Sequence, residues 1–292
     1  MIRVIVIGAN GFIGSNFIDT AVRTTDIKIV GTINRNSIDL TDDDMERKLS
    51  EYYLKELTPD VCVVAAYNAN VNYCEAHPDE TAAVNVLAMK RIAEVTRAAG
   101  VRCIFLSSNY VYDDTGKLNP LNMYGMQKLH AETFFSKNDH SILRLQNVWG
   151  SNDPGLKNFY WRAMENVKRN EIAILPDDTP VAWTHVNAVV DAICYLVRGK
   201  GHKSIACASK QVFTREEFQE FVWMALNDSQ DVDYTALREV APKTFGQHVI
   251  RTTYNMNQGY DVGLADPAEV KYFVSCYLKR LIWEEVKNGH VT

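Results

Sequence analysis

The sequence predicts an α/β protein built on a doubly wound parallel sheet, with a smaller and mostly helical lobe beside it. Short apolar runs alternate with helix-like segments through the first half of the 292-residue chain. Most of these runs are apolar throughout, as expected for strands that are buried on both faces. Their alternation with helices implies parallel strands joined by right-handed crossovers.

The first 150 residues contain most of the predicted sheet. We expect strands where an apolar run of four to seven residues ends at a turn, and helices where apolar residues follow a helical period. The predicted strands are 3–7, 27–33, 60–66, 102–107 and 141–144, and the predicted helices are 12–24, 42–57, 78–99 and 124–136.

The alternation loosens after Gly150. There we predict a helix over 155–169, a Pro-containing segment over 175–184, a helix over 187–197, a strand over 204–208 and mostly helical chain from 214. We therefore assign residues 1–150, with 185–208 returning to them, to a sheet domain. Residues 151–184 and 209–292 form the smaller lobe, where a substrate would bind.

The composition argues against several classes of protein. A formal net charge of −5 does not favour nucleic-acid binding, which needs clustered Lys and Arg. No apolar run approaches the length that spans a membrane, and the apolar start breaks at Gly8 before any signal-peptide cleavage site. The six cysteines form no C-x-x-C pair, so we expect no metal site, buried thiols at Cys62 and Cys103, and a reducing, cytoplasmic location.

A glycine-rich loop joins the first predicted strand to the first helix. Its sequence, GANGFIG over residues 8–14, has the spacing G-x-x-G-x-x-G. Gly8 suits a tight turn, Gly11 lets the backbone approach a pyrophosphate, and Gly14 lets the helix pack closely on the strand. The free N–H groups of the helix N-terminus would then face the phosphates. This loop predicts a Rossmann-type dinucleotide-binding domain over residues 1–150.

The residues after the second strand indicate which dinucleotide binds. NAD-preferring sites usually carry an acidic residue there, whereas this chain has Asn34, Arg35 and Asn36. Arg35 can pair with a 2′-phosphate, which favours NADP; NAD stays possible, and a solvated loop arginine is the alternative reading.

Tyr124 and Lys128 begin a predicted helix four residues apart, so both side chains lie on one face. A nearby ammonium favours tyrosinate, and we expect it to lower the pKa of Tyr124 toward the working pH. The tyrosine can then exchange a proton with a carbonyl while hydride moves to or from a nicotinamide. Ser108, at the end of a strand, would donate a hydrogen bond to that carbonyl. In a chain with fourteen tyrosines, a Tyr-x-x-x-Lys spacing is expected about once by chance. The pair becomes evidence for this chemistry because it follows Ser108 at the strand end.

Together these motifs resemble the extended short-chain dehydrogenase/reductase family. Further segments resemble its dTDP-4-dehydrorhamnose reductase branch, which is similar to the NAD-dependent epimerases and dehydratases. They are PDVCVVAA (59–66), SSNYVYD (107–113), P-x-x-x-YG-x-x-K (120–128), ILRLQNVWG (142–150), NFYWRAM (158–164) and D-x-T-P (177–180). The resemblance implies NADPH reduction of a nucleotide-linked 4-keto-6-deoxy sugar, with Ser108, Tyr124 and Lys128 catalytic.

The resemblance also implies residues that bind the ligands. For the cofactor they are Gly8, Asn10, Gly11, Phe12, Ile13, Gly14, Arg35, Asp39, Leu40, Ala65, Ala66, Tyr67 and Lys128. For the nucleotide sugar they are Asn109, Trp149, Asn158, Trp183 and Arg251. Asn85 resembles the structural asparagine of the family, and we interpret His185 as a hydrogen-bonded structural residue.

Some positions depart from the family pattern. Asn109 replaces the usual Asp after the catalytic hydroxyl, the Asp-Glu pair of sugar dehydratases is missing, and no Arg-Pro substrate signature is recognisable near the C-terminus. Two alternatives stay open: an epimerase that keeps its cofactor, and a non-catalytic NADP-binding partner like the regulatory subunit of methionine adenosyltransferase. Family members commonly pair through two long helices, here 78–99 and 124–136, so we expect a homodimer.

Overall fold

The computed structural model describes residues 1–113, 115–138, 140–150, 181–182, 184–200, 203–208, 212–213 and 259–261. Its main sheet has seven parallel strands in the order β2-β1-β3-β4-β5-β9-β11. They are β1 (Ile2–Ile7), β2 (Ile27–Ile33), β3 (Val61–Val64), β4 (Arg102–Ser108), β5 (Ser141–Leu145), β9 (Ser204–Ala208) and β11 (Gly259–Asp261). Two small pairs join β6 (Val148–Trp149) to β8 (Thr184–His185) and β7 (Val181–Ala182) to β10 (Val212–Phe213).

Helices cover both faces of this sheet. They are α1 (Phe12–Ala21), α2 (Met45–Lys48), α3 (Val71–Ala76), α4 (Pro78–Ala82), α5 (Met89–Ala98), α6 (Met123–Lys137) and α7 (Val186–Arg198). Wider, π-helical turns extend α2 over Leu49–Lys55 and join α4 to α5 over Ala83–Ala88. A 3₁₀ turn, Asn109–Val111, follows β4.

The alternating side chains of the strands divide the core into two layers. On one face Val4 and Leu106 pack with Phe17 of α1 and Ile193 of α7. On the other face the core is formed with α2, α5 and α6, whose buried members include Met45, Leu49, Met89, Ile92, Ala131 and Phe135. Because helices cover both faces of the sheet, side chains on both sides of each strand are buried, and the strands are continuous apolar runs in the sequence.

Within the described residues, the structure confirms the predicted doubly wound parallel sheet and most of the predicted elements. The helix predicted over 155–169 and nearly all of the chain from 214, which make up most of the predicted smaller lobe, lie outside the described residues. The first helix ends at Ala21, before the predicted residue 24, and the short helix α3 has no apolar period long enough to predict. Assigning all of 209–292 to the smaller lobe was wrong for Gly259–Asp261, which pairs with β9 in the main sheet. Three residues are too few to carry a strand pattern.

The order of the strands reverses at β1, which has β2 on one side and β3 on the other. In open α/β sheets, ligands bind outside the carboxyl ends of the strands at such a point. The carboxyl ends of β1, β3 and β4 bring Gly8, Ala65 and Ser108 to this edge of the sheet. In the part of the chain that the structure describes, every helix falls short of the length and apolarity needed to cross a membrane.

Candidate active site

The glycine loop, residues 8–14, packs closely against the carboxyl ends of β2 and β3. Gly8 has a φ of +89°, and its N–H donates to the Ile33 carbonyl at 2.8 Å. A Cβ on Gly8 would lie 2.6 Å from the Ala66 nitrogen and 2.7 Å from the Ala65 carbonyl carbon. A Cβ on Gly14 would collide with the Gly8 carbonyl oxygen. The backbone therefore fills the space that side chains would occupy, as in a loop built for close approach to a ligand.

The N-terminus of α1 opens at this loop. Gly11 is the N-cap residue in extended conformation, and no side chain caps the helix there. The first turn of α1 carries no acidic residue, so no local carboxylate offsets the positive end of the helix dipole. A ten-residue helix in this position can bind a phosphate group through its free N–H groups. Asn10, Phe12 and Ile13, predicted to contact a cofactor, all lie on this loop or first turn.

Arg35 and Asp39, both predicted cofactor contacts, lie side by side in the loop after β2. The Arg35 side chain is 90% exposed, and its Nε lies 3.4 Å from Asp39 Oδ2. Hydrogen bonds from Thr41, together with the nearby Arg35 charge, lower the pKa of Asp39. Leu40 packs against the core beside them. An exposed pair of this kind is weak, so the guanidinium can turn to another anion at little cost.

Ser108, Tyr124 and Lys128 converge at the end of β4. Ser108 ends the strand, and the first two turns of α6 carry the other two side chains. Ser108 and Tyr124 interact through their hydroxyls, and Tyr67 from the loop after β3 adds a third hydroxyl beside Tyr124. Lys128 Nζ donates to the Leu106 carbonyl at 2.7 Å and lies 3.1 Å from the centre of the Tyr67 ring. The predicted catalytic residues therefore form one cluster.

Burial dominates the protonation of this cluster. Tyr124 is 5% exposed and Lys128 is fully buried. Burial raises the pKa of Tyr124 well above its usual value, with the Tyr67 hydroxyl adding to the effect and Ser108 opposing it. Burial also lowers the pKa of Lys128 well below its usual value, against the opposing charge of Glu132. The expected lowering of the Tyr124 pKa by Lys128 was therefore wrong, because burial of the phenolate is the largest effect and burial also disfavours the charged form of Lys128.

The structure places the predicted substrate contacts in different surroundings, and it describes only two of them. Asn109 is buried and its Oδ1 accepts a 3.4 Å hydrogen bond from Ser108, so it lies within the site. Trp149 is 3% exposed and packs edge-on against His185 with 4.7 Å between ring centres, so it lies in the core, and its contact with a substrate stays a prediction. The remaining predicted contacts, Asn158, Trp183 and Arg251, lie outside the described residues.

His185 has the structural role that was predicted for it. Its Nδ1 accepts a hydrogen bond from the Asn187 N–H at 3.2 Å, which caps the N-terminus of α7. Burial lowers the pKa of His185 to about 4, so its neutral form is the stable one at neutral pH. Its ring packs against that of Trp149.

A buried amide network behind the site has no local signature in the sequence. Asn85 accepts from the Asn68 N–H at 2.8 Å and donates to the Asn68 carbonyl and to Gln127 Oε1. Gln127 in turn donates to Thr81 Oγ1 and to the Pro78 carbonyl. These bonds tie the loop after β3 to α6. Asn85 was predicted by resemblance, but Gln127 was missed; its place between the predicted catalytic residues Tyr124 and Lys128 was the available signal.

The five cysteines in the part of the chain that the structure describes are free thiols, and all are buried. Cys62 and Cys103 are fully buried on paired strands, as predicted. Within the described residues, no group of three or more His, Cys, Asp or Glu side chains is placed to hold a metal ion.

Comparison with known proteins agrees with this arrangement. A family model described as the RmlD substrate binding domain matches residues 2–254. The dTDP-4-dehydrorhamnose reductase of Sinorhizobium fredii is 32% identical over 158 residues, which is 50% of this chain and 51% of that protein. The methionine adenosyltransferase 2 subunit beta of Bos taurus is 32% identical over 108 residues, which is 34% of this chain and 32% of that protein. The aligned region thus spans about half the length of the first relative and about a third of the second.

A solved structure supports the fold. The dTDP-4-dehydrorhamnose reductase of Bacillus anthracis, in complex with NADP, superposes with a TM-score of 0.68 at 21% identity, covering 78% of this chain and 82% of that one. At that identity the likeness establishes the architecture alone. The family match spans most of the sequence and includes both the glycine loop and the Ser108–Tyr124–Lys128 cluster. The chain therefore belongs to the RmlD substrate-binding domain family.

Proposed function

We propose that this protein is an NADP-dependent reductase of the short-chain dehydrogenase/reductase type, acting on a nucleotide-linked 4-keto-6-deoxy sugar. The observation that carries the proposal is the cluster of Ser108, Tyr124 and Lys128 at the sheet edge where the glycine loop opens. The relatives named dTDP-4-dehydrorhamnose reductase support the choice of substrate class.

The chain offers a fitting site for the dinucleotide. The crowded backbone at Gly8 and Gly14 leaves room only for glycine, and the N-terminus of α1 presents free N–H groups to a pyrophosphate. Arg35 would pair with the 2′-phosphate, while Lys128 would hold the ribose of the nicotinamide. NADPH, when bound, supplies the hydride.

The side chains of the cluster supply the proton and the orientation. Tyr124 is protonated at neutral pH because burial raises its pKa, so its hydroxyl can give a proton to the sugar carbonyl oxygen. Ser108 donates a hydrogen bond to the same oxygen and holds it near Tyr124. The Lys128 ammonium stabilises the phenolate that remains after the proton has left.

The decisive experiment measures NADPH oxidation with a panel of nucleotide-linked 4-keto-6-deoxy sugars. We expect one of them to be reduced, with net consumption of NADPH. Tyr124→Phe should lower kcat by about 10²–10⁴-fold, because the proton donor is lost. Tyr53→Phe, a partly buried tyrosine on the extension of α2, is the matched control and should leave kcat unchanged.

A parallel NADH assay tests the role of Arg35. NADPH should bind more tightly than NADH, and Arg35→Ala should reduce that preference while leaving NADH affinity unchanged. Equal affinity of the parent protein for the two cofactors would contradict the 2′-phosphate assignment.

The same assays discriminate the alternatives. Sugar conversion with no net loss of NADPH, by a protein that retains its cofactor, would identify an epimerase instead. The likeness to methionine adenosyltransferase 2 subunit beta favours a further candidate, a non-catalytic NADP-binding partner of another enzyme. If Tyr124→Phe changes no measurable activity while NADPH still binds, that candidate replaces the reductase.

A further inference from the structure

A buried carboxylate lies one helical turn beyond the proposed catalytic lysine. Glu132 of α6 forms a two-point ion pair with Arg144 of β5, with an Oε1–Nε distance of 2.9 Å and an Oε2–Nη2 distance of 2.6 Å. The two side chains are only 4% and 17% exposed. Arg144 Nη1 also donates to the Tyr112 hydroxyl at 2.7 Å, beyond the turn that follows Ser108. Arg144 therefore holds the carboxylate through both oxygens and is itself held by Tyr112.

Glu132 shares a helix face with Lys128. Side chains four residues apart on a helix are neighbours, and Glu132 follows Lys128 by four. The contacts that surround the ammonium itself are uncharged: it donates to the Leu106 carbonyl and lies over the rings of Tyr67 and Phe105. A buried ammonium needs a compensating negative charge to stay protonated.

The titratable groups around Lys128 come from four elements. They are Tyr67 in the loop after β3, Cys74 of α3, Tyr124 and Glu132 of α6, and Arg144 of β5 acting through Glu132. The tyrosines and the cysteine are neutral at pH 7 because burial raises the pKa of each. Glu132 is thus the member of this set that supplies negative charge.

We propose that Glu132 is a positioning residue of the active site, whose carboxylate, held by Arg144, favours the charged form of Lys128 inside the buried cluster. The role of Lys128 rests on the proposed function, but its charge state does not. The ion pair also attaches α6 to β5, so a test must separate electrostatics from simple anchoring.

Two substitutions that change the charge near Lys128 in opposite directions separate the electrostatic role from anchoring. Glu132→Gln removes the negative charge and leaves Arg144 positive, so Lys128 should lose its proton at lower pH. Arg144→Met leaves Glu132 unneutralised, so Lys128 should keep its proton to higher pH. A purely mechanical anchor would instead respond to both changes in the same direction, because both break the same ion pair.

The measurement is an NMR pH titration of protein labelled with ¹³Cε lysine, without cofactor or substrate. The Lys128 signal is assigned by its loss in Lys128→Met. We expect its midpoint to move to lower pH in Glu132→Gln, to higher pH in Arg144→Met, and to stay near the parent value in Glu132→Asp, which keeps the charge. Asp26→Asn breaks an exposed Arg198–Asp26 pair of the same two-point form and should leave the midpoint unchanged.

Two results would overturn the proposal: an unchanged Lys128 midpoint in folded Glu132→Gln, or midpoints that move together in Glu132→Gln and Arg144→Met. Should either single variant fail to fold, the double variant Glu132→Gln/Arg144→Met removes both charges. Its midpoint should lie below that of the parent, and an unchanged midpoint there would equally contradict the idea.

Turnover and NADPH affinity are measured separately on the same variants. If the Lys128 midpoint moves as expected but no keto-sugar is reduced, the proposed function fails and the role of Glu132 stands. If reduction occurs but the midpoint is insensitive to Glu132, the reverse holds. When both ideas are right, the pH above which NADPH affinity falls will follow the NMR midpoint from variant to variant.

Discussion

Gly8 is constrained in two separate ways, by its conformation and by its surroundings. Its φ of +89° lies in the region that side chains rarely adopt, and the backbone of Ala65 and Ala66 occupies the position of a Cβ. Gly100 shares only the first constraint, with a φ of +70° and open space around it. The two glycines therefore form a natural pair for comparison.

Gly8→Ala should destabilise the protein by about 3 kcal/mol or more, because steric overlap with fixed backbone adds to the strain of the positive φ. Gly100→Ala should cost only about 1–2 kcal/mol, the conformational part alone. Urea unfolding of both variants checks the difference, and NADPH titration should detect loss of binding in Gly8→Ala only. Equal destabilisation would mean that the close approach at Gly8 is not rigid.

His185 makes the stability of the fold depend on pH. Burial lowers its pKa from 6.5 to about 4, so the unfolded chain takes up a proton before the folded one does. A group whose pKa is depressed in this way favours the folded state above pH 6.5 and loses that contribution as the pH falls toward 4.

The loss of stability over this pH range should be roughly 3 kcal/mol from His185 alone. His185→Asn keeps a side chain able to cap α7 and removes the titration, so its free energy of unfolding should fall less between pH 7 and pH 4.5. His130→Gln, at an exposed position on α6, is the control. Urea titrations at the two pH values measure this fall. An equal fall in the free energy of unfolding for His185→Asn and the parent protein would refute the assignment.

Helix α6 carries most of the proposed chemistry, and its position depends on one close contact. Gly125 packs directly on the Tyr110 carbonyl, so closely that a Cβ would collide with its oxygen. This approach brings Tyr124 beside Ser108 at the end of β4. The Asn122 side chain caps the helix at the same point, accepting from the Gly125 N–H at 2.7 Å.

Gly125→Ala should therefore destabilise the protein, although the same change in an exposed helix stabilises by about 1 kcal/mol. It should also lower kcat, because the displaced helix separates Tyr124 from Ser108. Met126→Ala, at the neighbouring exposed position, should change stability by no more than about 0.5 kcal/mol. Unfolding curves and turnover numbers test both, and a stable, fully active Gly125→Ala would disprove the role of this contact.

The elements and the cluster differ in how far the sequence predicts them. The strands and the glycine loop follow from local patterns, and strand order at β1 then explains why Ala65 lies beside Gly8. The Asn85–Gln127 hydrogen bond joins residues 42 apart, and no local pattern encodes such a contact. The sign of the Tyr124 pKa shift was also unpredictable, because it depends on burial by parts of the chain far away in sequence.

At the scale of the whole molecule, two exposed apolar side chains lie on the helices through which we expect two copies to pair. Leu87, in the turns between α4 and α5, is 59% exposed, and Met126 of α6 is 45% exposed. Tyr195 of α7 is similarly exposed at 44%, but α7 packs on the other face of the sheet. Isolated exposed apolar residues are ordinary, so association has to be measured.

We predict a homodimer at micromolar concentration in sedimentation velocity. Leu87→Glu combined with Met126→Glu should weaken dimerisation by about tenfold or more, because charge would be buried at the interface. Tyr195→Glu should leave the association constant unchanged. A parent protein that sediments only as a monomer would contradict the dimer, and an effect of Tyr195→Glu alone would place the interface elsewhere.

The outermost strand, β11, has a consequence for how the protein is made. It leaves the ribosome long after its neighbour β9, so the nascent chain holds β9 as an open sheet edge until Gly259–Asp261 arrive. An open sheet edge can pair with the strands of other chains, so a folding intermediate that exposes one is prone to aggregate. Shortening the chain to residue 254, where the family match stops, would make that transient stage permanent. Recombinant versions intended to stay monodisperse should therefore extend past residue 261.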